Sequence, residues 1–397
     1  MLAAGEARFG KGGYGMVQIA ASYFFCFLIY GIMVPLMSPV LLEMGYTKTS
    51  VGLIQAGIYC TGVVVPIVST RISDLHLSQE RFIRLTAITM TMASLVMWHT
   101  SSRPGWLFIA GLLGMAAMRA PQVPLQDALA MQVASNQPGR FARMRQAGSV
   151  GFALAAIVMG YLSEGLGLQI FFPAMTLAIL LYTVNSFFLP TEEKEPKSPE
   201  KSAFWFNLNR SWWFWLLALF CHWVCFAPYH YGFTILLTEA KVPLSISGWM
   251  WTIGVAAEIV FFLFSGRFFD RLGFRGVLIL AFCANLIRWT LVGLFPNGWV
   301  IAFSQLLHGP GFALYYAAVL QGIYHYCGGR QRASYQGLYA TIVAGGATIL
   351  GMLLCGELYE RMPFASVFLA MVPLQILGLV VLYLNHLSPP APLRRET

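Results

Sequence analysis

Charged residues are scarce in this sequence, and several catalytic motifs are missing. Asp, Glu, Lys and Arg make up 10% of the 397 residues, and 58% are hydrophobic, whereas an average soluble domain has about 25% charged residues. This composition excludes an ordinary soluble enzyme. The sequence also lacks H-E-x-x-H, G-x-S-x-G and glycine-rich phosphate-binding motifs, so the chemistries that need them have no residues to support them.

The seven cysteines do not indicate a metal site. All of them fall in apolar runs or at the ends of such runs, without the spacing of zinc ligands. They are Cys26, Cys60, Cys221, Cys225, Cys283, Cys327 and Cys355. We interpret them as reduced packing residues, and we expect neither a metal nor another cofactor.

What the sequence has in abundance is apolar runs of about twenty residues, the length that crosses a hydrocarbon core of about 30 Å. We predict an all-α membrane protein with twelve transmembrane helices in two six-helix halves, residues 1–189 and 210–397, joined by a polar cytoplasmic linker at 190–209. The predicted spans are 15–43, 49–70, 82–101, 105–131, 146–163, 168–189, 211–238, 245–267, 276–295, 298–325, 335–356 and 365–387. We also expect Trp212, Trp213 and Trp215 to lie in an interfacial aromatic belt.

The formal charge of +9 would suit a nucleic-acid-binding protein, but its distribution favours membrane topology. With both termini in the cytoplasm, most Lys and Arg residues fall on the cytoplasmic side, as the positive-inside rule requires. Arg119 and Arg288 instead fall within predicted spans, where a charge is costly and usually functional. We therefore expect a lipid bilayer and no nucleic acid as partner.

A ten-residue loop motif follows the eighth predicted span. Gly266, Asp270, Arg271, Gly273 and Arg275 match G-x-x-x-D-R-x-G-x-R, the cytoplasmic loop motif of the major facilitator superfamily, which this chain resembles. The resemblance implies a charge lock that holds the two halves in one state and releases them in the other. The alternative is that these arginines only set the orientation in the membrane.

The corresponding loop after the second span is degenerate. It keeps the aspartate, Asp74, but lacks both glycines and the adjacent arginine. We therefore give Asp74 less weight than Asp270 as a gating residue.

The spans themselves resemble the lactose permease branch of the superfamily, and the 3-phenylpropionate permeases more than the sugar permeases. Asp127 and Arg145 are 18 positions apart, like the acidic residue and the arginine that help to form the substrate site in that branch. Phe152 falls where the lactose permease has a stacking aromatic residue. The resemblance therefore implies substrate-binding roles for these three residues.

In the second half, Glu258, Arg288 and His308 correspond to a buried proton-coupling cluster of the same branch. The chain departs from the lactose permease in two places. Gly311 stands where that protein has a second acidic residue, and Ala227 and His230 replace its acidic residues on the seventh span. Proton coupling would then depend chiefly on Glu258.

The buried charges lead to a related expectation without any resemblance. Ionised groups inside the bilayer must face a cavity or one another, and the arginines Arg119, Arg145 and Arg288 outnumber the carboxylates Asp127 and Glu258. This excess suits a substrate carboxylate, which arginine binds with two parallel hydrogen bonds. His230 joins Arg119 as a substrate-binding candidate. Two plainer alternatives are a permanent Glu258–Arg288 bridge and packing roles for His222 and His230.

Together these features predict a proton-coupled symporter, not an enzyme, that moves a small organic anion by alternating access, with an aromatic or phenylpropanoid-like carboxylate as the expected substrate. The alternatives are a sugar or nucleoside symporter, an efflux antiporter, and a membrane sensor that does not transport. We expect a monomer, a proton and a small molecule as partners, and a location in the bacterial inner membrane.

Overall fold

The computed structural model describes residues 13–75, 78–135, 137–191, 210–327 and 332–387. Within these ranges the chain forms helices and no strands, and the all-α prediction is confirmed. In chain order the helices are α1 Gly13–Glu43, α2 Lys48–Leu75, α3 Gln79–Thr100, α4 Trp106–Arg119, α5 Gln122–Val133, α6 Pro138–Leu166, α7 Phe171–Ser186, α8 Arg210–Val224, α9 Ala227–Glu239, α10 Leu244–Leu294, α11 Gly298–Ser304, α12 Tyr315–Cys327, α13 Arg332–Tyr339, α14 Thr348–Arg361, α15 Phe364–Ala370 and α16 Val372–Leu387. Short 3-10 turns at Leu168–Ile170 and Gln305–Leu307, and π-helical segments at Gly309–Leu314 and Ala340–Ala347, connect some of them.

Nine helical segments in the described ranges are long and apolar enough to cross a membrane. One of them is the 51-residue helix α10, which covers two predicted spans. Helix α3 and the segments between Gly298 and Cys327 coincide with two further predicted spans but are not among the nine. The count of twelve therefore stays a prediction.

The chain divides into two compact units. Unit 1 consists of Met1–Tyr46, Gly57–Pro199 and Pro243–Trp249, and unit 2 consists of Thr47–Ala56, Glu200–Val242 and Met250–Thr397. Most of the predicted linker, residues 192–209, lies outside the described ranges. The predicted boundaries of the two halves stay predictions.

Helices α1 and α6 form the closest packing in unit 1, because each helix has a glycine that faces the backbone of the other helix. A Cβ atom on Gly151 of α6 would lie 2.2 Å from the carbonyl oxygen of Phe24, and one on Gly31 of α1 would lie 2.4 Å from the carbonyl oxygen of Phe152. Small residues allow such close approach between helices in membranes. This crossing brings the aromatic face of α1 against the polar residues of α6.

The core of unit 2 contains two tryptophans that we expected at the interface. Trp212 and Trp215 are each 1% exposed, and they pack against Tyr326 and Tyr335, with centroid distances of 4.7 Å from Trp212 to Tyr335 and 5.2 Å from Trp215 to Tyr326. The belt prediction is wrong for these two residues, because they lie on the inward face of α8. Trp213 lies on the opposite face and is 47% exposed.

The α1–α6 crossing can be tested with two identical substitutions on α6. Gly151→Ala places a methyl group into the Phe24 carbonyl and should lower stability by about 1–3 kcal/mol. Gly165→Ala is the matched control, because its Cβ meets no atom within 4 Å. It should be neutral or should raise stability by up to about 1 kcal/mol through helix propensity. Thermal unfolding of the purified variants in one detergent measures both, and equal melting temperatures would contradict the close crossing.

Candidate functional site

An aromatic strip on α1 forms the base of the candidate site in unit 1. Tyr23, Phe27 and Tyr30 are spaced four and three residues apart, which places them on one face of the helix. The rings of Phe27 and Tyr30 stack with centroids 5.2 Å apart and 25° between their planes. The strip gives unit 1 a continuous aromatic surface next to α4, α5 and α6.

Arg145 of α6 lies on this strip. Its Cζ atom is 4.0 Å from the ring centroid of Phe27 and 5.3 Å from that of Tyr23. A Cβ atom on Gly148 would lie 2.9 Å from Nη1 of Arg145 and 2.9 Å from Phe27. The glycine one turn after the arginine therefore leaves the space in which the guanidinium stacks on Phe27.

Arg119, the last residue of α4, lies on the same strip. Its Cζ atom is 4.3 Å from the ring centroid of Tyr30, and the residue is 7% exposed. Its Nε atom is buried without a hydrogen-bond partner among the described residues, and no carboxylate in the described ranges forms an ion pair with its guanidinium. Unit 1 thus holds a buried cation whose charge is balanced mainly by aromatic faces.

Asp127 of α5 is hydrogen-bonded to Tyr23, which is the first residue of the aromatic strip. The Tyr23 hydroxyl donates a hydrogen bond of 2.5 Å to its Oδ1 atom. One residue earlier, Gln126 donates to the hydroxyl of Tyr182, which donates in turn to Gln122, each over 2.6 Å. These bonds fix α5 in place. The structure therefore brings Arg119, Asp127 and Arg145 around one aromatic strip, with Phe152 two turns beyond Arg145 on α6.

The second candidate site lies within unit 2 and joins a carboxylate, a histidine and an arginine. The Nε2 atom of His308 lies 2.7 Å from Oε1 of Glu258, and Nη1 of Arg288 lies 2.8 Å from Nδ1 of His308. Because an arginine N–H only donates, Nδ1 is the acceptor, and Nε2 carries the proton that it donates to Glu258. His308 therefore stands between Glu258 and Arg288 as a hydrogen-bonded bridge.

Arg288 is completely buried. Both of its Nη atoms have hydrogen-bond partners, whereas its Nε atom has none among the described residues. Its Nη2 atom donates to Oε1 of Gln305 over 3.1 Å, and the same oxygen accepts a hydrogen bond of 3.2 Å from the Tyr229 hydroxyl. Its Cζ atom lies 4.4 Å from the ring centroid of Tyr229 and 4.5 Å from that of Trp289. A buried arginine needs such partners, because an unpaired charge inside a protein costs several kcal/mol.

Two neighbouring positions differ from the permease pattern. A Cβ atom on Gly311 would lie 2.5 Å from Oδ1 of Asn285, so the amide of Asn285 fills the space that a side chain there would need. His230 lies on α9 beside Phe226 and Tyr229, with centroid distances of 6.3 and 5.5 Å. Its substrate-binding role stays a prediction.

The loop motif lies inside α10 and includes the point where that helix is broken. Gly273 has φ 62° and ψ 173°, a backbone conformation that glycine adopts without strain. Asp270 and Arg271 are exposed, and Asp270 forms no ion pair within the described ranges. Gly266 is also exposed and Arg275 is half-buried. The side chain of Asp74 lies outside the described residues, and the gating role of the whole motif stays a prediction.

Comparison with known proteins identifies the family. The MFS_1 like family matches residues 16–370 of the chain. The chain belongs to this family. The resemblance to the major facilitator superfamily is thereby confirmed, and the protein is a multi-pass membrane transporter of this type, not an enzyme.

Proteins similar to this transporter are named for different substrates. It is 26% identical over 355 residues to a probable 3-phenylpropionic acid transporter of Escherichia coli (strain K12), covering 86% of this chain and 90% of the relative. It is 25% identical over 371 residues to a maltose permease of Geobacillus stearothermophilus, covering 91% and 92%. A crystal structure of the nucleoside transporter NupG has a TM-score of 0.79 at 16% identity, covering 94% of this chain and 98% of that chain. This structural likeness shows the fold.

Sequence reasoning missed Phe27, Gly148 and Gln305. The aromatic spacing of Tyr23, Phe27 and Tyr30 on one helical face was a signal for the first. Gln305 lies three residues before His308, and a polar residue one turn from a buried histidine is a signal for the last. The role of Gly148 depends on the direction in which the Arg145 side chain runs, and the sequence alone does not show this direction.

Gln305→Leu tests the support of Arg288. The substitution removes the acceptor of both Arg288 and Tyr229, and it should lower the stability of the transporter by about 1–3 kcal/mol, because buried donors are left unsatisfied. Gln321→Leu on α12 is the control, since Gln321 is exposed. Thermal unfolding of the two purified variants measures the difference. Equal stability would show that Gln305 does not hold the arginine.

Proposed function

We propose that the transporter is a proton-coupled symporter of a small organic anion, with an aromatic or phenylpropanoid-like carboxylate as its substrate class. The observation that carries the coupling part is the hydrogen-bonded chain Glu258–His308–Arg288 within unit 2. We further propose a location in the bacterial inner membrane, a monomeric state and cytoplasmic termini, with alternating access as the transport cycle.

The coupling argument starts from the state of His308. Its Nδ1 atom accepts a hydrogen bond from Arg288, so the single N–H proton of the neutral imidazole is on Nε2 and points toward Glu258. Glu258 is 20% exposed through its side chain, whereas His308 is 5% exposed. The carboxylate is thus the most exposed member of the chain. The negative charge of Glu258 partly neutralises the positive charge of buried Arg288. A proton that binds to Glu258 removes this negative charge and leaves the cluster more positive.

The anion argument rests on the two arginines of unit 1. A guanidinium that stacks on an aromatic face keeps its N–H groups in its own plane, at the edge of the stack. Arg119 and Arg145 both stack in this way, and one carboxylate, Asp127, stands beside them and already accepts a hydrogen bond from Tyr23. The net positive charge and the edge donors suit a carboxylate ligand.

The substrate body is argued from the same strip. Phe27 and Tyr30 are half-buried next to the guanidinium groups, and aromatic surfaces of this kind pack ring-bearing ligands well. A relative with 26% identity is named as a probable 3-phenylpropionic acid transporter, which agrees in ligand chemistry with an arginine-bound carboxylate and an aromatic body.

A second candidate is a sugar or nucleoside symporter. Asp127 can accept hydroxyl hydrogen bonds, as its bond from Tyr23 illustrates, and an acid next to an arginine also binds hydroxyl groups. The maltose permease relative and the NupG fold neighbour support this alternative. It differs from the first candidate in needing no anionic group on the substrate.

Glu258→Gln should abolish proton-driven accumulation of 3-phenylpropionate in proteoliposomes and leave exchange of the same compound across the membrane. The amide keeps the shape and the hydrogen bond from His308 but cannot take up a proton. Glu360→Gln is the control, because Glu360 is exposed on α14, and it should keep full accumulation. Concentrative uptake by the Glu258 variant would remove Glu258 from the coupling step.

Arg145→Lys should weaken binding of 3-phenylpropionate by about 10- to 100-fold, because the planar fork is replaced by a point charge and a charge-assisted hydrogen bond of about 1.5–3 kcal/mol is lost. Arg143→Lys, an exposed position two residues earlier, is the matched control. Ligand-induced thermal stabilisation measures both, with maltose and uridine in parallel. Stabilisation by maltose or uridine alone would favour the second candidate, and an unchanged affinity of the Arg145 variant would place the anion elsewhere.

A further inference from the structure

A second buried histidine, His222 on α8, lies close to the Glu258–His308–Arg288 chain but outside it. The residue is fully buried, and its ring stacks between Phe282 at 4.3 Å and Tyr315 at 4.5 Å, with interplanar angles of 24° and 19°. Both faces of the imidazole are therefore fixed by packing. Neither the resemblance nor the proposed function gives this residue a role.

The hydrogen bonds of His222 define which ring nitrogen carries the proton. Gln375 places its Nε2 atom 3.0 Å from Nδ1 of His222 and also 3.0 Å from the carbonyl oxygen of Phe282. Because that carbonyl can only accept, the group facing both is the amide N–H₂, and Nδ1 of His222 is an acceptor. The ring proton is then on Nε2, which lies 3.2 Å from the carbonyl oxygen of Gly311 and 3.5 Å from the amide nitrogen of Asn285. Of these two neighbours only the carbonyl can accept the proton.

The partner of this bond lies in the segment that carries His308. Gly311 is in the π-helix Gly309–Leu314, which begins directly after His308. Such π-helical turns are rare, occur mostly at functional sites, and need support from their surroundings. The N–H of His222 supplies a directional hydrogen bond to a carbonyl of this turn.

The same segment is confined from two other directions. A Cβ atom on Gly309 would lie 2.7 Å from the carbonyl oxygen of Ala257, the residue before Glu258, and one on Gly311 would lie 2.5 Å from Oδ1 of Asn285. The backbone that follows His308 is therefore packed closely against α10 next to Glu258 and also lies within hydrogen-bond distance of His222 on α8. A small shift of this backbone changes the 2.7 Å distance between His308 and Glu258.

We infer that His222 is a positioning residue: its neutral imidazole donates to Gly311 and fixes the π-helical turn, so that His308 stays within hydrogen-bond distance of Glu258 and Arg288. Buried polar groups normally have hydrogen-bond partners. What distinguishes His222 is that one of its partners is the carbonyl of the π-helical turn that begins directly after His308. The inference rests on the proposed function for its consequence in transport, but the geometric role can be measured separately.

The direct test is ¹⁵N NMR of the full chain in lipid nanodiscs with labelled histidine, where the His308 signals are identified by their loss in His308→Gln. His222→Leu removes the N–H donor and should shift the ring nitrogen signals of His308. His222→Gln keeps an N–H donor at a similar position and should leave them close to those of the wild type. His325→Leu is the control, because His325 is exposed on α12 beside Phe274. Unmoved His308 signals in His222→Leu, or equal shifts in the Leu and Gln variants, would overturn the positioning role.

Transport provides the second readout. His222→Leu should lower proton-driven accumulation of 3-phenylpropionate by about 10- to 100-fold, the cost of a misplaced reacting group, and should retain exchange, while His222→Gln restores accumulation. If wild-type protein accumulates no 3-phenylpropionate, the proposed function fails, and the NMR result still decides the position of His308. If His222→Leu does not fold, Gln375→Leu keeps the ring and removes the donor to Nδ1. The Gly311 carbonyl still accepts from Nε2 in this variant, so the Nε2-protonated signature of His222 should persist, and a shift of the proton to Nδ1 would overturn the argument.

Discussion

The free-energy cost of burying an arginine inside an apolar helix bundle is the constraint on which unit 2 depends. Arg288 is inaccessible to solvent, and an uncompensated charge there would cost several kcal/mol. The chain meets this cost with one acceptor from His308, one from Gln305, and the faces of Tyr229 and Trp289. These groups come from α9, α10 and the segment before the π-helix, so satisfying one charge fixes three pieces of the fold in relation to one another.

Stacking of a guanidinium on aromatic rings occurs in each unit, with different consequences. In unit 2 the edge of Arg288 is used by His308 and Gln305, and the arginine belongs to an internal network. In unit 1 the guanidinium of Arg119 faces Tyr30 and forms no ion pair with a described carboxylate. The Nε atoms of both arginines are buried without a partner among the described residues. Buried donors are normally satisfied. Under the proposed function, an anionic ligand would bind the arginines of unit 1, and the Glu258–His308–Arg288 chain of unit 2 would carry the proton.

Hydropathy predicted the helices well because the bilayer imposes a length of about twenty apolar residues on each span. It failed where tertiary contacts decide the outcome. The tryptophans of α8 are apolar in either environment, so composition did not distinguish a membrane interface from the core around Tyr326 and Tyr335. The candidate charges were visible because they are rare in spans. Their partners Phe27 and Gln305 were not recognised, because aromatic and polar residues occur throughout the chain. The packing of α1 on α6 brings Phe27 to Arg145, and the packing of the His308 segment on α10 brings Gln305 to Arg288. The π-helical turn at Gly309–Leu314 has no simple periodic signal at all.

Gly311 connects the missing carboxylate to the histidine network. The resemblance to the lactose permease predicts an acidic residue at this position, where the chain has glycine, and the amide of Asn285 fills the space next to it. The backbone carbonyl of the same glycine accepts the hydrogen bond from His222. A Cβ atom at residue 311 would lie 2.5 Å from Oδ1 of Asn285, so either that amide or the π-helical turn would have to move. Gly311 is therefore a neutral, closely packed residue where the permease pattern has a second ionisable group. A proton-coupled cycle through this cluster would depend on Glu258 as its carboxylate and on Asn285 and His222 for the position of the turn.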